Sequence, residues 1–133
     1  MDFAISCKAF IVKRDKLLLI KRRSADIQSP SMWEIPGGRI EPGEDPYQGL
    51  LREVKEEISI NIKICRPLSI KYFTRQDRQT IIMLIFICKP DGNKISLSQE
   101  HTDYSWTAVA KAISKITPFF KSEVKEYIKY YKK

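Results

Sequence analysis

Residues 38–60 read GRIEPGEDPYQGLLREVKEEISI, and the organisation of the chain follows from this stretch. Asp45 followed by Pro46 marks a helix start. The aspartate carboxylate can accept from a free first-turn N–H, and proline at the first helical position lacks an N–H that would have no partner anyway. The spacing predicts a helix over residues 46–58. Leu50, Leu51, Val54 and Ile58 fall on one face, to be buried against a sheet. Glu53, Glu56 and Glu57 stand at i, i+3 and i+4 and form a second, acidic stripe. Like charges at such spacings cost a helix roughly 0.2–0.5 kcal/mol per pair, so something must offset them. Either the stripe is a solvated face with Arg52 and Lys55 as partners, or it gathers carboxylates for a hard cation. Mg²⁺ takes oxygen ligands and keeps waters and substrate phosphates in its shell, so clustered acids beside a glycine-rich turn suit phosphoryl chemistry. Such a turn stands just upstream. Pro36-Gly37-Gly38 is poor in side chains, and its glycines let backbone approach a metal or a phosphate closely.

Working outward, apolar residues are frequent over residues 3–12 and again over 17–20, separated by Lys13-Arg14-Asp15-Lys16. That pattern predicts an antiparallel hairpin. Residues 24–31 are polar and include Pro30, so they read as a loop, and Trp33-Glu34-Ile35 as a short strand. Beyond the helix, residues 62–74 and 80–88 read as strands joined by the polar turn 75–78. Residues 89–99, with Pro90, Asp91-Gly92 and Asn93, read as a loop, 104–107 as a last short strand and 108–114 as a helical turn. A terminal helix is predicted over residues 118–131, where Phe119, Val124, Tyr127, Ile128 and Tyr131 have helical spacing. Strands, helix, strands, helix is the order of a mixed-sheet α/β (α+β) domain with no linker, here a single domain over residues 1–133.

Composition agrees and narrows the classes. A chain of 133 residues can bury one real core but not two ordinary ones. With 43% hydrophobic and 30% charged residues it is neither disordered nor fibrous. The longest clean apolar run, residues 81–88, is far too short to cross a bilayer, and Lys8 and residues 13–16 interrupt the N-terminal apolar stretches. A cytoplasmic protein with no membrane partner is therefore expected. Cys7, Cys65 and Cys88 are odd in number and lie in apolar stretches, which predicts three reduced core residues. A net charge of +8 attracts polyanions, free nucleotides and nucleic acid alike, or serves solubility with a Lys-rich tail.

Gly38 is followed after five residues by Glu44, and after seven more by Arg52-Glu53-Val54-Lys55-Glu56-Glu57, with Ser59-Ile60 closing the segment. This spacing closely resembles the box of the Nudix hydrolases. Every defined position matches except Ser59, where the family has the glycine that permits a left-handed helix cap. Arg22-Arg23, residues 33–38, Glu100 and Trp106 extend the resemblance along nearly the whole chain, toward the MutT-like nucleoside triphosphate pyrophosphohydrolases.

The resemblance implies a Nudix fold, a mixed β-sheet sandwiched between helices, and a box that forms a loop-helix-loop. It implies that the carbonyl of Gly37 or Gly38 and the carboxylates of Glu56 and Glu57 hold Mg²⁺, with Mn²⁺ as the alternative. Glu53 would be a further ligand or the base, and Glu100, from a distant loop, an additional ligand or base. Glu44 and Arg52 would be supports, Arg52 steering a neighbouring carboxylate. Arg23 would meet a phosphate, and Gln28, Glu34 and Ile35 lie where this branch contacts the nucleotide. Readers of oxidised guanine in that branch use an Asn before the last helix. Here Lys121 and Ser122 stand in that segment, and Lys121 can donate but not accept hydrogen bonds. Trp33, Tyr72 and Phe73 are candidates for stacking a base or for the core, and His101, the one histidine, reads as a loop residue.

Three functions compete. The first is metal-dependent hydrolysis of a nucleoside triphosphate or related derivative at its pyrophosphate linkage, by a monomer or homodimer. The second applies the same chemistry to capped or 5′-triphosphorylated RNA, which the charge favours but no RNA-binding motif supports. The third is a non-catalytic nucleotide- or RNA-binding domain on the same scaffold, which would have no need of the intact set of box acids.

Overall fold

A computed structural model describes residues 3–25, 30–92 and 94–132. Its elements in chain order are β1 (Phe3–Lys13), β2 (Lys16–Arg22), β3 (Trp33–Glu34), β4 (Gly37–Arg39), α1 (Pro46–Ile58), β5 (Asn61–Thr74), β6 (Thr80–Asp91), β7 (His101–Ala108), α2 (Val109–Lys115) and α3 (Lys121–Tyr130). A 3₁₀ turn, Pro118–Phe120, leads into α3. The helix predicted from residues 46–58 forms over those residues. The Asp45 carboxylate caps it by accepting from Tyr47 N–H at 3.1 Å. At its other end Ser59 takes the left-handed conformation (φ 63°) that the box normally reserves for glycine, and its N–H donates to Lys55 O at 3.0 Å. The serine thus closes the helix in the family geometry at a local conformational cost.

β1 and β2 form the expected hairpin, with Arg14 and Asp15 both left-handed in the turn. They pair only at the tips, Val12 with Leu17 and Lys13 with Lys16, and then diverge. β1 runs parallel to β6 and antiparallel to β4, while β5 lies antiparallel on the far side of β6. β2 instead pairs antiparallel with β3 and β7. The sheet is thus mixed, and it splays into two wings from the hairpin.

Both faces are buried, which explains why the central strands are apolar almost throughout rather than alternating. Cys7, Ile11, Leu18 and Ile20 face one layer, where Leu50, Val54 and Ile58 of α1 are fully buried. Phe10, Leu17 and Leu19 face the other, against Val109 and Ala112 of α2 and Val124 of α3. Each fully buried Leu, Val or Ile of α1 contributes about 1.5–3 kcal/mol of transfer free energy, far more than the acidic stripe costs.

Several boundaries differ from the sequence reading. β6 continues through Pro90 to Asp91 instead of ending in a loop. β1 leaves β6 at Cys88, so beyond that point β6 is paired on one side only and the missing Pro90 N–H costs no ladder bond. β7 begins at His101, three residues earlier than expected, because Tyr104, Asp103 and His101 all find partners on β2. The terminal helix is broken into the 3₁₀ turn and α3. Pro36-Gly37-Gly38 is not simply a turn, since Gly37 and Gly38 pair with Lys8 and Cys7 as part of β4. Cys7 and Cys88 are buried free thiols as expected, but Cys65 is exposed, in the stretch of β5 where two register shifts disturb the pairing. The expected loop positions 26–29 and Asn93 lie outside the described residues.

Candidate active site

α1 and β4 meet at one end of a cavity of about 680 Å³. Gly37 has φ 139°, and a Cβ there would collide with the Cys7 carbonyl oxygen. Only glycine lets β4 lie this close to β1. At Gly38 a Cβ would come within 2.5 Å of the Glu53 carboxylate, so the bare backbone and that acid share one spot. Gly37 N–H donates to Glu57 Oε1 at 2.6 Å. The expected convergence of the two glycines with Glu53 and Glu57 is therefore present, and Glu100 lines the same cavity.

Glu56 is placed differently. It is exposed, lies outside the cavity wall and accepts from Arg52 Nη1 at 2.9 Å and 3.1 Å. Arg52 also donates from Nε to Glu44 Oε2 at 2.8 Å, from Nη2 to Glu44 Oε1 at 3.0 Å and from Nη2 to the Arg39 carbonyl at 3.2 Å. One planar guanidinium thus ties the loop before α1, the end of β4 and the acidic stripe together. These bonds hold the Glu44 carboxyl down at about 2 and raise Arg52 further.

Glu53 and Glu57 behave in the opposite way. Burial pushes the Glu57 carboxyl up to about 7, although Lys8, the Gly37 N–H and His101 pull against it. Burial also raises Glu53, opposed by Arg52 and reinforced by Glu56 and Glu100. Carboxylates crowded and desolvated in this way gain most from a divalent cation. The donors are all hard oxygens, the set that suits Mg²⁺ or Mn²⁺. Among the described residues no three His, Cys, Asp or Glu side chains form a closed metal cage. An ion that keeps waters and substrate phosphates in its shell does not require one.

Behind the acids lies a polar cluster that the sequence reading missed. Lys8 is buried, donating from Nζ to Ile35 O at 3.2 Å and Gly37 O at 3.4 Å, with Glu34 Oε1 at 3.6 Å. Glu34 Oε2 accepts from Arg22 Nη1 at 3.0 Å and lies 2.8 Å from His101 Nε2. Burial alone would raise the Glu34 carboxyl, but Lys8, His101 and Arg22 together hold it at about 2. His101 is therefore no loop residue: it is buried at the start of β7, and its Nδ1 has no hydrogen-bond partner among the described residues. The available signal was Lys8 itself, a lone charge inside an otherwise apolar strand.

The other expected contacts divide. Arg23 and Glu34 line the cavity. The Ile35 side chain is wholly buried in the core, so only its main chain is within reach of the site. Lys121 opens α3 without lining the cavity; Thr117, Phe119 and Phe120 of the preceding turn do so instead. Gln28 lies outside the described residues. Phe73 lines the cavity edge-on to Phe119, their ring centres 4.8 Å apart. Tyr72 is exposed on β5, and Trp33 is flanked by Lys115, 4.2 Å from its ring centre. The cavity lining thus combines acids, basic side chains and bare backbone with the apolar side chains of Phe73, Ile81, Met83 and Phe119.

A sheet between α1 and the α2–α3 layer, with the box helix aiming its acids at a glycine backbone, is the arrangement of a Nudix domain. The chain belongs to that family: the NUDIX domain model matches residues 3–129. A MutT-like protein of Streptomyces ambofaciens is 34% identical over 103 residues, 77% of this chain and 62% of that protein, so this chain spans somewhat less than two thirds of that relative's length. The CTP pyrophosphohydrolase of Escherichia coli is 30% identical over 112 residues, 82% of this chain and 79% of that one. In structure, the chain is similar to the MutT protein from Methanosarcina mazei, with a TM-score of 0.87 and 25% identity, over 99% of this chain and 97% of that one.

Proposed function

We propose that this protein hydrolyses the pyrophosphate linkage of a nucleoside triphosphate or a related derivative, using Mg²⁺ or Mn²⁺ and releasing a nucleoside monophosphate. The observation that carries this reading is the pair of half-buried and buried acids, Glu53 and Glu57, against Gly38 and Gly37 in a cavity that Phe73 and Phe119 also line. The polyphosphate belongs beside these acids and the base against the aromatic rings. The names borne by the similar Escherichia coli and Streptomyces proteins support the same class.

Glu57 and the carbonyl of Gly37 or Gly38 would hold the metal, joined by whichever of Glu53 and Glu100 does not act as the base. Once bound, divalent ions neutralise the phosphate oxygens and lower the pKa of a bound water. Arg52 keeps Glu56 and Glu44 fixed relative to α1, so the acids meet the substrate already oriented. Glu53 or Glu100 takes the proton from the attacking water, which adds to phosphorus in line as the pyrophosphate oxygen leaves. Arg23 stands on the cavity wall where a phosphate charge can be met. Phe73 and Phe119 present ring faces and edges to a base.

The test is a hydrolysis screen of nucleoside triphosphates, oxidised nucleotides, nucleotide sugars, dinucleoside polyphosphates and capped RNA, each with metal and with excess chelator, products identified by mass. The reading expects a triphosphate to be the best substrate and turnover to stop with chelator. Turnover in chelator overturns the mechanism, and a preference for capped RNA or a dinucleoside polyphosphate overturns the substrate class.

A further inference from the structure

A second cavity, of about 660 Å³, lies at the other end of α3 from the catalytic one, and none of the box residues lines it. Its floor is apolar, with Val12 and Ile87 beside the Tyr127 ring. Three cations stand around it: Arg14, Arg66 and Lys89. The one acid in the lining, Asp15, is already 3.7 Å from Lys132 Nζ. Among the described residues no carboxylate lies within ion-pair distance of Arg14, Arg66 or Lys89, so the lining carries a positive excess.

Two of these cations are delivered by irregular backbone. Arg14 and Asp15 occupy the hairpin turn in left-handed conformation, φ 51° and 64°, where Asn-Gly would sit without strain. The left-handed conformation costs free energy at Arg14, whereas Asp15 is of a type that tolerates it. Arg66 follows the first of two register shifts in the β5–β6 pairing, and such bulges re-aim side chains. The Arg66 guanidinium lies 5.1 Å from the Tyr131 ring centre. An arginine stacked in this way keeps its N–H edge for an acceptor, the geometry that suits a phosphate fork.

We infer that this cavity is a second ligand site, distinct from the catalytic one, for a phosphorylated molecule with a flat apolar body, its phosphoryl group held by Arg14, Arg66 and Lys89 and its body against Tyr127. The phosphoryl group could come from a free inorganic anion or from a nucleotide, and the apolar floor and tyrosyl wall favour the nucleotide. The inference does not depend on which substrate the catalytic cavity takes.

Cys65 supplies the readout, because it lines this cavity and is exposed while Cys7 and Cys88 are buried. Its rate of alkylation by iodoacetamide is followed in excess chelator, with phosphate, pyrophosphate or AMP as the probe, at constant ionic strength. AMP is expected to slow alkylation saturably, by about tenfold at a concentration about ten times its dissociation constant, and phosphate to protect only at higher concentration. In Arg14→Gln and in Arg66→Gln the AMP concentration needed should rise about tenfold or more, while catalytic turnover with metal stays unchanged. The second variant guards against a misfolded turn in the first. Lack of protection by any of the three probes, or equal protection in both variants and the parent protein, overturns the inference. So does protection by an oligoribonucleotide alone, which would make the surface a nucleic-acid contact instead.

Discussion

Gly37 N–H donates to Glu57 Oε1 at 2.6 Å, joining β4 to the last turn of α1 across 20 residues of sequence. The bond satisfies one oxygen of a buried carboxylate. It also couples the two features of the box, the glycine pair and the acidic helix, into one rigid unit.

A glutamine at position 57 can still accept the Gly37 N–H, so Glu57→Gln should keep the fold and lose the charge. Its activity is expected to fall by about two orders of magnitude or more, and Glu56→Gln, whose side chain Arg52 holds outside the cavity, should lose less. Steady-state rates together with melting temperatures check this. Near-normal turnover in both variants would move the chemistry away from α1.

Gly37→Ala should behave in the reverse sense, damaging the fold before the chemistry. The added Cβ meets the Cys7 backbone and requires a positive φ at once. A loss of about 3 kcal/mol or more in unfolding free energy is expected from denaturant melts. A neutral substitution would mean that β4 does not lie against β1 as described.

Glu53 and Glu100 compete for the proton-accepting role, and metal titrations should separate them. Replacing the base by glutamine lowers kcat with little change in the metal concentration needed, whereas replacing a ligand raises that concentration. Isothermal titration with Mn²⁺ gives the metal affinity independently of turnover. If neither variant changes rate or metal affinity, both assignments fail.

In the metal-free protein two buried acids act on stability in opposite directions on either side of pH 4.5. Glu57 is raised in the folded state from 4.5 to about 7, so the folded form binds the extra proton, and stability falls as pH rises between those values. Glu34 is lowered from 4.5 to about 2, so its contribution is present above 4.5 and is lost as pH falls toward 2. Melting temperatures across this range, in chelator, should carry a Glu57 limb that falls above pH 4.5 and a Glu34 limb that falls below it. Glu57→Gln should flatten only the limb above pH 4.5, and added Mg²⁺ should lift it by competing with the proton. A limb that is unchanged in that variant would reject the assignment.

The amino-acid sequence by itself determined what is local. Helix α1 was legible to the residue because Asp45, Pro46 and the Leu50-Val54-Ile58 stripe act within a few turns, and the box spacing identified the family because its acids share that one helix. The hairpin follows from an equally local pattern, whereas the gathering of Gly37 and Gly38 with Glu53 and Glu57 was implied only by the family resemblance and is made by β4 meeting α1, over 20 residues from Gly37 to Glu57. Long-range partners decided the rest. Glu53, Glu56 and Glu57 look alike in sequence, yet β4 draws Glu57 inward and Arg52 holds Glu56 out. Pro90 could remain in a strand only because β1 has already left β6 there. His101 and Lys8 became buried partners of Glu34 because β7 and β1 bring them to it over 67 and 26 residues. A charge inside a fold takes its meaning from whichever desolvated group lies opposite, and that identity belongs to tertiary structure, since burial raises the cost of leaving it unpaired.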